Sequence, residues 1–165
     1  MKKMLTLIGL VSLMSGTVSA LDIAALERAM ANPDRPAADK ERDASRRAPE
    51  VLDFMGVEPG MTVLDINASA GWYTEVLSYA VGDSGKVYMQ NRPGGRSAEA
   101  AAARAGRLAN VEAWDGEVAA LPAGTVDFAL TALNFHDFHN SNPAAAQSLL
   151  ADTIKALKSG GVLAI

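Results

Sequence analysis

The stretch Thr62-Val-Leu-Asp-Ile-Asn-Ala-Ser-Ala-Gly71 decides the fold of this chain. Its first half, residues 62–66, is short and mostly apolar, which predicts a strand buried on both faces. Its second half carries small and turn-forming residues as far as Gly71. Apolar residues then recur at the spacing of one helix face, at Tyr73, Val76, Leu77 and Ala80. A strand, a tight turn and a helix in this order predict the opening of a βαβ unit.

The alternation of strand and helix continues to the end of the chain. An alanine-rich helix is predicted after Ser97, and another from Pro143 to the Gly160-Gly161 pair. Helical crossovers between strands give parallel pairing with helices on both faces of the sheet. We therefore predict an α/β fold, a three-layer Rossmann-like domain with about five parallel strands, whose ligands bind at the carboxyl ends of the strands. The four strands predicted after the first are Lys86–Gln90, Asn110–Trp114, Val126–Ala132 and Val162–Ile165.

The N-terminus has the pattern of a leader peptide. Lys2 and Lys3 precede an apolar run from Met4 to Met14, and Val18-Ser-Ala20 offers small residues for cleavage. An apolar run of about eleven residues is too short to span about 30 Å of hydrocarbon. We predict a signal peptide over residues 1–20, a periplasmic or secreted location, and no permanent membrane span after cleavage.

We predict that residues 21–60 form a helical segment and that the α/β domain follows at residues 61–165. Apolar residues recur at helical spacing from Ile23 to Met30, and Pro49 suits the first turn of a short helix. Between these two helices, residues 36–47 are rich in charge, which predicts a solvated helix or a linker without a chemical role.

The composition of the chain narrows its function. At 165 residues, with 49% hydrophobic and 21% charged residues, the chain allows one ordinary globular domain. The absence of cysteine excludes a disulfide scaffold, a zinc–thiolate site and a thiol nucleophile. A net charge of −4 argues against a nucleic-acid-binding surface, which needs a basic patch. A small molecule or a protein is therefore the predicted partner.

Several stretches, by their order and spacing, resemble a class I S-adenosylmethionine-dependent methyltransferase. Val63–Gly71, followed by a helix and by Gly85-Lys-Val-Tyr88, resembles the opening of that family. Residues 110–122 resemble its third strand and adenine loop, and residues 127–133 resemble its fourth strand. Residues 157–162 resemble the junction that leads into its fifth strand.

The resemblance spans residues 42–165 and implies the strand order 3-2-1-4-5. Asn134-Phe-His-Asp137 and the leader narrow it to an exported group of bacterial methyltransferases. The family normally has two more strands after the fifth, whereas this sequence stops at Ile165, so we expect a truncated member or fragment with the last two strands missing. A fifth strand without charge or proline at an exposed edge also predicts a homodimer through that edge.

The resemblance implies S-adenosylmethionine as the cofactor. The family has glycine at the positions of Asn67, Ser69 and Gly71; asparagine tolerates the left-handed backbone region and serine is small. Asn91 stands where the family has an acid that binds the ribose hydroxyls. Glu117 stands where it has an acid that accepts from the adenine amino group. The implied cofactor-binding residues are Asp65, Asn67, Ser69, Gly71, Asn91 and Glu117.

Some of these residues also have a structural interpretation. Asp65 ends a strand, and an acid in that place also caps the following helix. Glu117 is of a type that is common at plain surface positions. Trp72 and Tyr73 follow the turn in helical register, which favours packing over the stacking of a substrate.

The segment Asn134-Phe-His-Asp-Phe-His-Asn140 places both histidines of the chain in one predicted loop at the ligand edge. His136 is the candidate general base toward a hydroxyl or amine acceptor, because imidazole titrates near neutral pH. Asp137 would orient His136 or bind the substrate. Two alternatives stay open: a metal site that adds His139 to these two residues, and a loop whose histidines only form local hydrogen bonds.

Two functions from different classes follow from these observations. The first is an S-adenosylmethionine-dependent methyltransferase of unknown acceptor, which acts largely by positioning, with no metal. The alternative is a non-catalytic, exported relic of the same fold that binds a small molecule or a protein.

Overall fold

The structure, a computed structural model, describes residues 20–165, so the predicted leader lies outside the described residues apart from Ala20. The five strands form one parallel sheet with the order β3-β2-β1-β4-β5, which confirms the predicted fold and strand order. β1 lies in the middle, paired with β2 on one side and β4 on the other. The strands are β1 (Thr62–Asp65), β2 (Lys86–Gln90), β3 (Val111–Trp114), β4 (Val126–Leu130) and β5 (Leu157–Ala164).

Helices cover both faces of this sheet. Three of them precede β1, and each later strand except β4 is reached through at least one helix. Within residues 20–165, no helix is both long and apolar enough to cross a membrane. The helices are α1 (Ile23–Met30), α2 (Ala37–Arg46), α3 (Ala48–Phe54), α4 (Trp72–Val81), α5 (Ala98–Arg107), α6 (Phe135–Ser141) and α7 (Pro143–Ala156), and a short 3-10 helix, Val118–Ala120, precedes β4.

The central strand is buried on both faces. Val63 belongs to the core cluster that β1 shares with α1, α3 and α4, whereas Leu64 belongs to the cluster beneath α7. Both side chains are fully buried. A strand between two helical layers needs apolar residues at successive positions, which explains the unbroken apolar run that opened the prediction.

The fifth strand begins earlier than predicted. The sequence predicts a helix as far as Gly160 and a strand from Val162, but α7 ends at Ala156 and β5 starts at Leu157. Leu157 pairs with Val126, and the register shifts before Val162 pairs with Phe128. Pairing with the neighbouring strand therefore overrides the local helix-ending signal.

The charged segment before α3 is not simply solvated. Residues 37–46 form α2, and Arg35 and Asp39 are buried, with exposed fractions of 2% and 7%. Arg35 binds Asp43 through two hydrogen bonds and the Met30 carbonyl through a third. Buried charges are tolerated only with such partners. The charge content of the segment predicted exposure because it does not show which charges find a partner in the fold.

Candidate functional site

The β1 loop, residues 66–71, begins directly after the central strand. Asn67, Ser69 and Gly71 adopt φ angles of 52°, 55° and 81°, all in the left-handed region. A non-glycine residue in this region costs about 1–2 kcal/mol, less for asparagine, and persists only where its surroundings impose it. The turn therefore forms although only one of its three left-handed positions is a glycine.

Gly71 is the position where a side chain has no room. A Cβ atom there would lie 2.5 Å from the Met89 Cε and 2.9 Å from the Arg104 Cδ. The absence of a Cβ lets β2 and α5 approach the start of α4. The predicted glycine position is thus required by packing as well as by its positive φ.

Two side chains at the end of β2 hold the β1 loop. Gln90 accepts a hydrogen bond from the Asn67 N–H at 3.0 Å and donates one to the Gly116 carbonyl at 2.9 Å. Asn91 accepts from the Ser69 N–H at 2.7 Å and donates to the Ser69 carbonyl at 3.1 Å. In the structure, Asn91 therefore fixes the backbone of the loop, whereas its ribose-binding role stays a prediction.

Asp65 lies at the floor of the site, at the end of β1. Its Oδ2 accepts a hydrogen bond of 2.6 Å from the Thr74 hydroxyl in the first turn of α4. Burial raises the pKa of Asp65 to about 7, and the bond from Thr74 only partly opposes this effect. Asp65 therefore anchors the following helix and also lines a cavity.

Arg104 of α5 connects three parts of the molecule. Its guanidinium donates to the Ala70 carbonyl in the β1 loop at 2.6 Å, to Asp39 of α2 at 2.6 Å, and to Glu75 of α4. Trp72 adds a second contact with α2, since its indole N–H donates to the Asp39 carbonyl at 3.0 Å. These bonds fasten the N-terminal helices to the loop.

A cavity of about 310 Å³, the α2 cavity, lies between α2 and the β1 loop. Asp39, Arg42 and Arg46 of α2 line it on one side, and Asp65 and the β1 loop line it on the other. Trp72 and Tyr73 at the start of α4 and residues 132–134 after β4 complete the wall. Trp72 is buried in the core, as its helical register predicts.

A second cavity, the α7 cavity, has a volume of about 260 Å³ and shares Asn67 with the first. Gln90, Arg92 and Glu117 line it from the sheet side. Glu117 is exposed and precedes the 3-10 helix Val118–Ala120. α6 and α7 supply the other wall with Phe138, Ala145, Ser148, Leu149 and Asp152.

The histidine segment is a helix and not a loop, because residues 135–141 form α6. The His136 Nε2 lies 3.3 Å from the Asp137 Oδ1, and these side chains are 67% and 82% exposed. His136, Asp137 and His139 line neither cavity. Within residues 20–165, no group of three or more histidine, aspartate and glutamate side chains is arranged to hold a metal ion.

The two residues that precede α6 lie at the site. Asn134 accepts from the Thr131 hydroxyl at 2.6 Å and donates to the Asn67 carbonyl at 3.2 Å. Leu133, with a φ of 60°, is 68% exposed at the edge of the α2 cavity. A leucine in this strained region at a cavity mouth is typical of functional sites.

The structure thus brings five of the six predicted cofactor residues to the walls of the two cavities, and Asn91 holds the loop between them. The sequence interpretation missed Gln90, Arg104 and the α2 face with Asp39 and Arg42. A polar residue at the end of an apolar strand could have signalled Gln90. No local pattern marks the others, because their partners lie far away in the sequence.

Comparison with known proteins finds structural neighbours. No family model matches the chain, and no curated protein matches it. A SAM dependent methyltransferase from Aquifex aeolicus has a TM-score of 0.62 at 28% identity, over 83% of this chain and 68% of that chain. An arsenic(III) S-adenosylmethionine methyltransferase from Chlamydomonas reinhardtii has a TM-score of 0.60 at 20% identity, over 84% of this chain and 47% of that chain.

A SAM-dependent O-methyltransferase from Thermotoga maritima gives a TM-score of 0.59 at 18% identity, over 78% of this chain and 49% of that chain. The chain therefore spans about two thirds of the Aquifex protein and about half of the other two. At 20% and 18% identity, the latter two show the fold alone. All three share the overall fold of this chain.

Proposed function

We propose that this chain, which has the fold of the class I S-adenosylmethionine-dependent methyltransferases, binds this cofactor and methylates a small molecule. One observation carries the proposal: the β1 loop keeps its three left-handed positions and lies between two cavities at the carboxyl edge of the sheet. When bound, the cofactor supplies a methyl group carried by a positively charged sulfur, and a nucleophilic acceptor attacks this methyl group.

The residues at the loop fit this cofactor. Glu117 presents an exposed carboxylate to the α7 cavity, where it would accept from the adenine amino group. The Asn91 carbonyl uses one of its two lone pairs on Ser69, which leaves the second for a ribose hydroxyl. We propose as cofactor-binding residues Asp65, Asn67, Ser69, Gly71, Asn91 and Glu117.

The α2 cavity is the proposed place of the acceptor. Leu133 and Tyr73 offer apolar surface there, and Asp65 lies beneath them with a proton affinity raised by burial. Since no large charge has to be created on the protein during methyl transfer, the chain acts mainly by holding the two reactants in line.

His136, with Asp137 beside it, is the proposed base for an acceptor that must lose a proton. The supporting observation is the 3.3 Å approach of the two side chains on the helix that follows β4. Because both side chains lie outside the cavities, this role requires α6 to shift toward the β1 loop when the acceptor binds. An acceptor that is already nucleophilic would need no base.

Binding without methyl transfer is the alternative function. The observation that favours it is the replacement of the expected acid by Asn91, whose two polar groups already bind the Ser69 backbone. In that case the chain would be an exported binding module with the fold of an enzyme.

The test is a calorimetric titration of the purified protein with S-adenosylhomocysteine, the demethylated cofactor. We expect saturable binding to the wild type and about tenfold weaker binding to Glu117→Ala, since a hydrogen bond to a charged group contributes about 1.5–3 kcal/mol. Glu112→Ala is the control, because Glu112 is an exposed acid of β3 that pairs with Lys86 and lines neither cavity.

Three outcomes are informative. No binding to a sample whose circular dichroism shows a folded α/β protein would contradict the proposed function. Equal weakening by the two substitutions would remove Glu117 from the site. Binding without methyl transfer to any of a broad set of hydroxyl, amine, thiol and carboxylate acceptors would favour the binding module.

A further inference from the structure

One face of α2 directs two arginines into the α2 cavity. Asp39, Arg42 and Arg46 are spaced three and four residues apart, so they lie on the same side of the helix. Asp39 fixes that face, because its carboxylate binds Arg104 and its carbonyl accepts from Trp72. The two arginines are therefore held toward the β1 loop by buried bonds that lie one turn from Arg42 and two turns from Arg46.

Neither arginine has an acidic partner in the described part of the chain. The salt bridges among residues 20–165 involve other basic residues, and residues 1–19 contain no aspartate or glutamate. Arg46 instead lies over aromatic rings, 5.4 Å from the centre of Trp72 and 5.9 Å from that of Tyr73. Stacking orients a guanidinium without occupying its in-plane N–H donors, of which only one is needed for the hydrogen bond between Arg46 and Tyr73.

The charge around the cavity is positive, although the chain as a whole carries −4. Asp39 is neutralised by its ion pair with Arg104. Asp65 is buried beneath the cavity and its pKa of about 7 leaves it only partly ionised at neutral pH. Arg42 and Arg46 therefore carry charge that no side chain lining the cavity cancels.

We infer that Arg42 and Arg46 bind the carboxylate or phosphate group of a molecule that occupies the α2 cavity. A guanidinium presents parallel donors that match the oxygens of such groups, and two guanidinium groups one turn apart can share one anion. The inference rests on the proposed function, because it assigns a subsite in the same cavity. The anion belongs either to the amino-acid end of the cofactor or to an acidic acceptor.

The test compares the wild type with the double variant Arg42→Gln/Arg46→Gln. The control, Arg28→Gln/Lys155→Gln, removes the same charge from exposed positions on α1 and α7 that line neither cavity. Each protein is titrated with S-adenosylhomocysteine, with 5′-methylthioadenosine, which lacks the amino-acid carboxylate, and with inorganic phosphate and benzoate. We expect at least a tenfold loss of affinity for an anionic probe in the double variant only.

The probes distinguish the two sources of the anion. A loss for S-adenosylhomocysteine without a loss for methylthioadenosine assigns the arginines to the cofactor carboxylate. A loss confined to phosphate or benzoate assigns them to an acidic acceptor. Equal losses for methylthioadenosine and the anionic probes would overturn the inference, because the arginines would then act through the fold.

The proposed function fails separately from this inference. If the wild type binds neither adenosine probe, the proposed function is contradicted, and binding of phosphate or benzoate that the double variant loses still supports the anion site. Unchanged affinity of the double variant for every anionic probe, or no anionic probe bound by the wild type, overturns the anion site.

Discussion

α2 and α6 both flank the β1 loop, but they are held in different ways. α2 is fixed by buried polar bonds, in which Asp39 binds Arg104 and Trp72. α6 has no buried residue, and it is joined to the loop through its N-cap, Asn134. α2 is therefore held more firmly beside the loop than α6, although α6 carries both histidines.

The difference divides the site into a fixed and an adjustable side. A helix without a fully buried residue opens locally at lower free energy than a helix tied by a buried ion pair, which opens only when that pair breaks. We therefore expect the α2 cavity to be formed before a ligand arrives, and the wall made by α6 to adjust to it.

Arg104→Met should break the fixed side and have the largest effect. It leaves Asp39 without its cation in a site where the paired side chains are only about a tenth exposed. Loss of one partner from a buried pair costs about 3–5 kcal/mol, measurable by urea unfolding. Arg28→Met, an exposed change on α1, should stay within about 0.5 kcal/mol. Equal losses in the two variants would mean that α2 is not held by Arg104.

Asp65→Asn should change how the stability of the fixed side depends on pH. The pKa of Asp65 rises from 3.8 to about 7, so between these values the folded protein keeps a proton that the unfolded chain has lost. This contribution makes the free energy of unfolding fall as the pH rises, by at most about 1.4 kcal/mol per pH unit. Relative to the wild type, the variant should therefore gain stability as the pH rises through this window.

Urea unfolding at a series of pH values measures that gain. Asp53→Asn serves as the control, because it makes the same chemical change at an exposed position on α3. Parallel pH profiles for Asp65→Asn and the wild type would contradict the raised pKa.

Gly71→Ala should distort the loop between the two helices. The new Cβ would meet Met89 and Arg104 at 2.5 and 2.9 Å, and the φ of 81° adds strain. Gly94→Ala carries similar strain, with a φ of 72°, but meets nothing within 4 Å. Gly71→Ala should cost about 1–3 kcal/mol more than Gly94→Ala in thermal unfolding. Equal costs would show that the loop has room to yield.

His136→Ala, on the adjustable side, should have the smallest effect. Its side chain is 67% exposed and lines neither cavity, so stability should change by less than about 0.5 kcal/mol. Affinity for S-adenosylhomocysteine should stay unchanged. With an acceptor in hand, turnover that falls in this variant and not in His139→Ala supports the proposed base, and unchanged turnover contradicts it.

The fold could be predicted from the sequence because its signals are local. The apolar run at residues 62–66 reflects burial on both faces of β1, and the residues after it favour a left-handed turn. Asn67 and Ser69 adopt left-handed backbone angles in that turn. Their residue types suggest this, because asparagine tolerates the left-handed region and serine is small. The start of β5 was missed because its pairing with Val126 is not local.

The site could be predicted only in part. Its loops follow from the rule that parallel sheets bind ligands at their carboxyl edge, and five of the six cofactor residues line the cavities. The α2 face could not be predicted, because Asp39 and Arg104 lie 65 residues apart in the chain. The outward direction of the His136 side chain could not be predicted either. The sequence shows which side chains are reactive, but it does not show toward which side of the helix they point.

The position of Arg104 in the chain bears on the order of folding. Its partners come earlier, Asp39 by 65 residues and Glu75 by 29, and the second cation that binds Glu75, Arg107, also belongs to α5. Until α5 packs, burying these carboxylates between α2 and α4 would leave them without a counter-charge. α2, which is synthesised before β1 and β2, should therefore gain protection from hydrogen exchange after the β1–β2 core. The order in which these segments become protected is then the reverse of the order in which they are synthesised.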